Sequence, residues 1–289
     1  AATRGVSIPT TVPSTSTRRI TTVLFDTDCE SFDNADGFYG ATKRRCNYNN
    51  DFMGKKITVD GHGRATIDCE ATSFGDFPKR GFIFANGETR ETVLRGVRIV
   101  RCRTAKSGSF KNNYYGDQWH QLKGGGMLLM GTSGLSIENV VVSSCHANWG
   151  GGLFIDSDAH ASMEFLTVES CETNWGGTIF VERYSTLTWK GGMMFGCSSR
   201  TGDGVAVHIN SGSTVVIENV IFSGNEFTAQ SSDHIGAIIH VRPQAGKFQD
   251  FTGCTFRRSG ANGTDLSIHP DFTGTVKIID TNFTSSVFD

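Results

Sequence analysis

Asn148-Trp149-Gly150-Gly151-Gly152-Leu153-Phe154-Ile155 is followed, 26 residues on, by Asn174-Trp175-Gly176-Gly177-Thr178-Ile179-Phe180. The same phrase, a glycine and then a short apolar run, opens copies on either side. Gly126-Met127-Leu128-Leu129 precedes the pair, and Gly204-Val205-Ala206-Val207, Gly236-Ala237-Ile238-Ile239 and Asp265-Leu266-Ser267-Ile268 follow it. The openings are 26, 25, 27, 32 and 29 residues apart. A period of this size built from short strands is that of a solenoid, because one copy cannot bury its apolar face alone and stacked copies bury each other's.

Each copy carries a second alternating run. Leu135-Ser136-Ile137-Glu138-Asn139-Val140 aligns with Val215-Val216-Ile217-Glu218-Asn219-Val220 and with Val276-Lys277-Ile278-Ile279-Asp280-Thr281. Upstream, Gly81-Phe82-Ile83-Phe84 with Val93–Ile99, and Ile57–Asp60 with Ala65–Asp68, read as earlier coils. The expectation is an all-β parallel β-helix of about eight coils, a rod of about 40 Å at ~4.8 Å per rung. Counting from each opening glycine, the first and third residues should point inward: Met127 and Leu129, Leu153 and Ile155, Thr178 and Phe180, Val205 and Val207, Ala237 and Ile239, Leu266 and Ile268.

Residues 1–22, rich in Thr and Ser, read as an extended lead-in or linker, and 23–289 as one domain. Gly81 and Gly126 are 45 residues apart, so a loop is inserted near 103–123. Its Tyr114, Tyr115 and Trp119, set among Lys106, Lys111, His120 and Lys123, suit it to binding or to covering a flank.

Thirty-five glycines against five prolines, with no sustained helical periodicity, argue for many tight turns and almost no helix. A net charge of −2 supplies no general attraction to nucleic acid or anionic membrane. No apolar stretch approaches the ~18 residues of a membrane span, and the start lacks a basic-then-apolar leader, so the chain reads as mature or trimmed.

Gly150-Gly151-Gly152-Leu153-Phe154-Ile155 and Gly176-Gly177-Thr178-Ile179-Phe180, paired with the ending Phe222-Ser223-Gly224-Asn225, resemble the repeats of polymorphic outer membrane proteins. They also resemble related secreted proteins of the pectin-lyase-like superfamily. The resemblance covers roughly 81–289 and implies a right-handed coil with an extracellular or cell-surface role. In such a setting Asn262 and Asn282, each followed by x-Thr, are glycosylation acceptors.

Where Asn225 stands, other coils carry Cys102, Cys145, Cys171 and Cys197, with Ser259 and Ser286 later in the column. Rung spacing permits a disulfide within this column, and equally permits stacked free thiols packed as small apolar groups. Cys29, Cys46 and Cys69, in the irregular N-terminal region, are the better disulfide candidates, Cys29 and Cys46 being the nearest pair.

Candidate chemistry is sparse. Gly61-His62-Gly63 matches a polygalacturonase signature superficially, but it lies in an early turn and no paired carboxylates accompany it on later rungs. The fourth residue after each opening glycine is Met130, Asp156, Val181, His208, His240 and His269, which predicts a column of three histidines able to take a transition metal or respond to pH. Trp149 and Trp175 should stack and offer a flat face to sugar rings or to another protein. The run Asp26–Asp36 supplies oxygen ligands for Ca²⁺ without EF-hand spacing.

The reading that follows is a secreted or surface structural or adhesive protein, non-catalytic and without a cofactor, meeting protein or glycan partners or its own copies. The alternative is a polysaccharide lyase or glycoside hydrolase on acidic polysaccharide, using Asp156, Arg183, His208, His240 and Arg242, with Ca²⁺ or a transition metal as cofactor.

Overall fold

The computed structural model describes residues 19–20, 48–74, 78–104, 121–201, 204–210, 212–228, 237–246, 248–257 and 264–283. Over these the chain is all-β, a parallel β-solenoid of about seven turns. Strands Asn50–Asp51, Phe82–Phe84, Met127–Met130, Leu153–Asp156, Ile179–Val181, Val207–Ile209, Ile239–Val241 and Leu266–Ile268 form one sheet in chain order, every pair parallel. The second runs form a longer sheet, and His146–Trp149, Glu172–Trp175, Ser198–Thr201 and Glu226–Phe227 form a four-stranded one. The eight opening strands enclose seven turns, one fewer than the coil count read from the sequence. No helix among the described residues is long and apolar enough to cross a membrane.

Two corners of the coil have a shared backbone cause. Gly96, Asn139, Phe165, Gly191, Asn219, Gly253 and Asp280 each follow paired strand positions and each take a φ between 48° and 66°. Arg101, Ser144, Ser170, Gly196 and Gly224 do the same at the next corner, with φ between 51° and 60°. A left-handed residue turns the chain within one position, so the strands on either side keep their phase from coil to coil.

The residue after the second corner is the column of Cys102, Cys145, Cys171, Cys197 and Asn225. Its side chain serves the coil above: Asn225 Oδ1 accepts the Cys197 N–H at 3.0 Å and its Nδ2 donates to Met194 O at 3.0 Å. Cys171 fills both roles with one thiol, Sγ accepting the Cys145 N–H at 3.4 Å and donating to Val142 O at 3.6 Å. At Cys171 a thiol thus stands in for the amide. Cys145, Cys171 and Cys197 are free and buried. Burial pushes the Cys171 and Cys197 thiols well above the usual thiol range.

Cys102, at the head of the column, forms a disulfide with Cys69. Cys69 thus finds its partner in the regular coil, and the proposed Cys29–Cys46 pair lies outside the described residues. Cys254 stands at the other corner, one rung beyond Val220, where its thiol donates to Ile217 O at 3.5 Å. Burial raises it to about 11.

The interior is filled by columns such as Ile99–Val142–Val168–Met194–Phe222–Phe256–Phe283. The last three rings stack at 5.0 Å, and Trp189 meets Phe222 edge-on at 5.7 Å. Coils approach closely where the repeats are glycine-rich: a Cβ on Gly151 would sit 2.1 Å from the Glu172 carbonyl oxygen.

Counting from the opening glycine gives the right inward pair in two consecutive coils, Met127 with Leu129 and Leu153 with Ile155, and again at Leu266 with Ile268. In the others it slips. Leu153 pairs with Ile179, Val207 and Ile239 in turn, so the glycine-to-strand distance grows from one residue to two and then three. Ile179 and Val181, not Thr178 and Phe180, face the core, as do Val207 with Ile209 and Ile239 with Val241. Strand phase is set by pairing with the coil beneath, while the glycine marks a corner of variable length.

Candidate functional site

The slip in register decides what lies on the outer face of the eight-stranded sheet. One column runs Leu128, Phe154, Phe180, His208, His240, Ser267. Two residues along, Met130 pairs with Asp156, and backbone bonds carry that row through Glu182, Asn210, Arg242 and His269. The predicted three-histidine column is therefore two histidines, His208 and His240, and His269 stands in the neighbouring row. Val181 points into the core.

The first column is a stack of rings. Phe154 and Phe180 lie 5.0 Å apart, Phe180 and His208 4.4 Å, and His208 and His240 5.5 Å. His208 and His240 are 6% and 2% exposed, and His240 Nδ1 lies 3.2 Å from Ser267 Oγ. Both imidazoles are built in as ring neighbours of an apolar column. Among the described residues no group of three or more His, Cys, Asp or Glu is arranged to hold a metal ion.

Beside the rings is a buried charge cluster. Lys123, the last residue of the predicted insertion, places Nζ 3.2 Å from Asp156 Oδ2, 3.8 Å from Glu182 Oε2 and 4.5 Å above the Phe154 ring. Arg183 Nε approaches Asp156 Oδ1 at 3.3 Å, and the Ser157 N–H donates to the same oxygen at 2.7 Å. Asp156 is 0% exposed. Burial pushes the Glu182 carboxyl above its ordinary range, Asp156 adds to this, and Lys123 and Arg183 oppose it.

Of the residues named for a hydrolase or lyase, Asp156 and Arg183 are thus in contact, His208 and His240 stack, and Arg242 shares the face. The sequence reading missed Glu182, which follows Asp156 on the next rung. Paired carboxylates on adjacent coils, judged absent from the sequence, are present here. The signal was the one-residue lengthening after Gly177, which moves Glu182 into phase.

On the four-stranded sheet Trp149 and Trp175 do pair in register. Trp149 packs against Leu128, Phe154 and Phe180, and Trp175 is 48% exposed. Beneath them Asn174 Nδ2 donates to Asn148 Oδ1 at 2.6 Å, and Asn174 Oδ1 lies 3.2 Å from His146 Nε2. His146 Nδ1 faces Arg103 at 3.1 Å and Glu172 at 3.4 Å. Burial holds this imidazole below its ordinary range; Glu172 and Asn174 act against that, and Arg103 and Arg200 with it.

His62 and Gly63 have φ of 51° and 71° where the strand register breaks between Asp60 and Ala65, so Gly61-His62-Gly63 is a bulge and His62 is exposed beside Asp60. Asn282 is exposed on the last strand. Tyr114, Tyr115, Trp119, Asn262 and the Asp26–Asp36 stretch lie outside the described residues.

No protein-family model matches this chain, and neither a curated protein nor a solved structure matches it.

Proposed function

We propose that this chain is a secreted or cell-surface rod, a right-handed β-helix of the pectin-lyase-like kind, whose role is structural or adhesive rather than catalytic. One observation carries the reading: the side chains best suited to chemistry are spent on packing. Asp156 is sealed between Lys123, Arg183 and a backbone N–H, and both histidines are covered within a ring stack. What reaches solvent includes Trp175 and, on the same sheet, the Arg200–Glu172 ion pair. The Cys69–Cys102 disulfide supports an oxidising compartment.

A specific observation favours a second reading, a hydrolase or lyase acting on acidic polysaccharide. Glu182 keeps partial access, holds its proton more tightly than a free glutamate and neighbours a second carboxylate. Incubation with uronate polymers, with and without Ca²⁺, separates the two. No new reducing ends or unsaturated products are expected, whereas turnover lost in Glu182→Gln establishes the enzyme. For the contact role, titration with oligosaccharides should change tryptophan fluorescence in the wild type and not in Trp175→Ala.

A further inference from the structure

The buried cluster around Asp156 closes its carboxylate to a substrate, but a reaction inside the chain needs no such access. Lys123 is held through its backbone from two sides. The Gly124 N–H donates to Trp149 O at 2.9 Å, and Arg80, itself 1% exposed, donates from Nε to Lys123 O at 2.9 Å. The amine passes above the Phe154 ring and meets Asp156 Oδ2 at 3.2 Å. Asp156 Oδ1 is occupied differently: the Ser157 N–H donates to it at 2.7 Å, and Arg183 Nε stands 3.3 Å away. One oxygen of the carboxylate thus faces an amine and the other faces two donors. Glu182 Oε2 lies 3.8 Å from the same Nζ with its side chain 22% exposed, and burial makes it hold its proton more tightly than a free glutamate does.

We infer that Lys123 and Asp156 condense to an intramolecular isopeptide bond, with Glu182 carrying protons between them. An ion pair kept from water costs desolvation at both members, and the amide removes both charges. Held in contact, the two groups react as though at an effective concentration on the order of 10⁵ M or more. The first event is transfer of a proton from Nζ to Oδ2, which leaves an amine and a carboxylic acid. The nitrogen lone pair then forms the bond to Cγ, and the carbonyl pair moves onto Oδ1, where the Ser157 N–H and Arg183 meet the new negative charge. Glu182 gives its proton to the Oδ2 hydroxyl and recovers one from the nitrogen, ending as it began. The Cγ–Oδ2 bond breaks as Oδ1 re-forms the carbonyl, and one water leaves. Asp156 is the acyl partner because it is the carboxylate nearer to Nζ and the one that carries both donors. The ion pair is the state in which the chain first folds. The bond then joins residues 33 apart in sequence and ties the end of the inserted loop to the next coil, constraining the unfolded chain as any cross-link does.

Intact mass spectrometry of the purified full chain, reduced and denatured, tests this. The wild type should weigh about 18 Da less than its sequence, the mass of one water. Cleavage after Glu138 places Lys123 and Asp156 on separate peptides, and these should remain joined. Lys123→Arg keeps the positive charge and should show the full sequence mass. Glu182→Gln, its fold confirmed by circular dichroism, should be recovered mostly unlinked. A wild-type chain at full mass after prolonged incubation at neutral pH overturns the proposal. So does a loss of water that persists in Lys123→Arg, which is cyclisation at an aspartate, or a cross-link that maps to other residues. A Glu182→Gln chain as fully linked as the wild type overturns the role given to Glu182 and the proposal with it.

Discussion

The outer face of the eight-stranded sheet and the outer face of the long sheet's second half invert each other. On the first, charged and ionisable groups are buried: Lys123 is 6% exposed, Asp156 0% and His240 2%. On the second, apolar groups are left in solvent, with Phe165 60% and Met193 38% exposed. Both lie outside the core of one solenoid. A strand's polarity pattern therefore says which residues face outward, but not whether outward means wet. That depends on what chain lies over the face. The Lys123 and Trp149 segment folds across Phe154, while no described segment covers Met193.

The sharpest way to break this contrast is to remove one member of the buried cluster. Asp156→Ala leaves Lys123 without its nearest carboxylate in a site screened from water, and should cost about 3–5 kcal/mol in guanidinium-induced unfolding. Asp156→Leu combined with Lys123→Met removes both charges and should recover much of that loss. Met193→Ala on the exposed face should stay within about 0.5 kcal/mol. Equal effects at Asp156 and Met193 would mean the two faces do not differ in burial as described.

Intermediate in size is Phe165→Asn. Asparagine suits the left-handed corner, as Asn139 and Asn219 show on nearby coils, and the exchange should raise monomer stability by about 1 kcal/mol. A residue whose replacement stabilises the fold serves the surface and not the core, which is the distinction between the faces stated energetically. Gly191→Ala should act in the opposite sense, since its new Cβ meets the Phe165 ring at a backbone position with φ 66°.

Much of this was legible in the sequence, for reasons the registers make plain. The period gave the solenoid, and the cysteine column followed from spacing because its corner has constant length: Cys145, Cys171 and Cys197 superpose. The histidine column failed because the corner before the opening strand varies by up to two residues, which the glycine does not report. Glu182 was missed for the same reason. Cys69 was assigned to an irregular region, although it stands one coil from Cys102 and is bonded to it. Constant corners transmit phase through the sequence; variable ones pass it only through backbone pairing in space.

The thiols extend the comparison inward. With Cys145, Cys171 and Cys197 buried, iodoacetamide at neutral pH should leave the peptides that carry them unlabelled until denaturant is added. Labelling in the native state would show that the column opens to solvent.

The smallest effect is expected from His146, a buried ionisable group on a third flank. The imidazole is neutral when Nε2–H donates to Asn174 Oδ1 and Nδ1 accepts from Arg103, an arrangement that Asn174 Nδ2 bonding to Asn148 keeps oriented. Its folded pKa lies below the ordinary 6.5, so on acidification the unfolded chain takes up the proton first. Stability from this group is present above pH 6.5 and is lost as pH falls through the folded value. His146→Gln keeps the amide contacts without the titration, so the wild type should lose more stability than the variant between neutral pH and about pH 5. Parallel pH profiles for the two proteins would mean that the proton enters without disturbing the Arg103 and Asn174 bonds, and that burial on this flank is looser than on the face of Asp156.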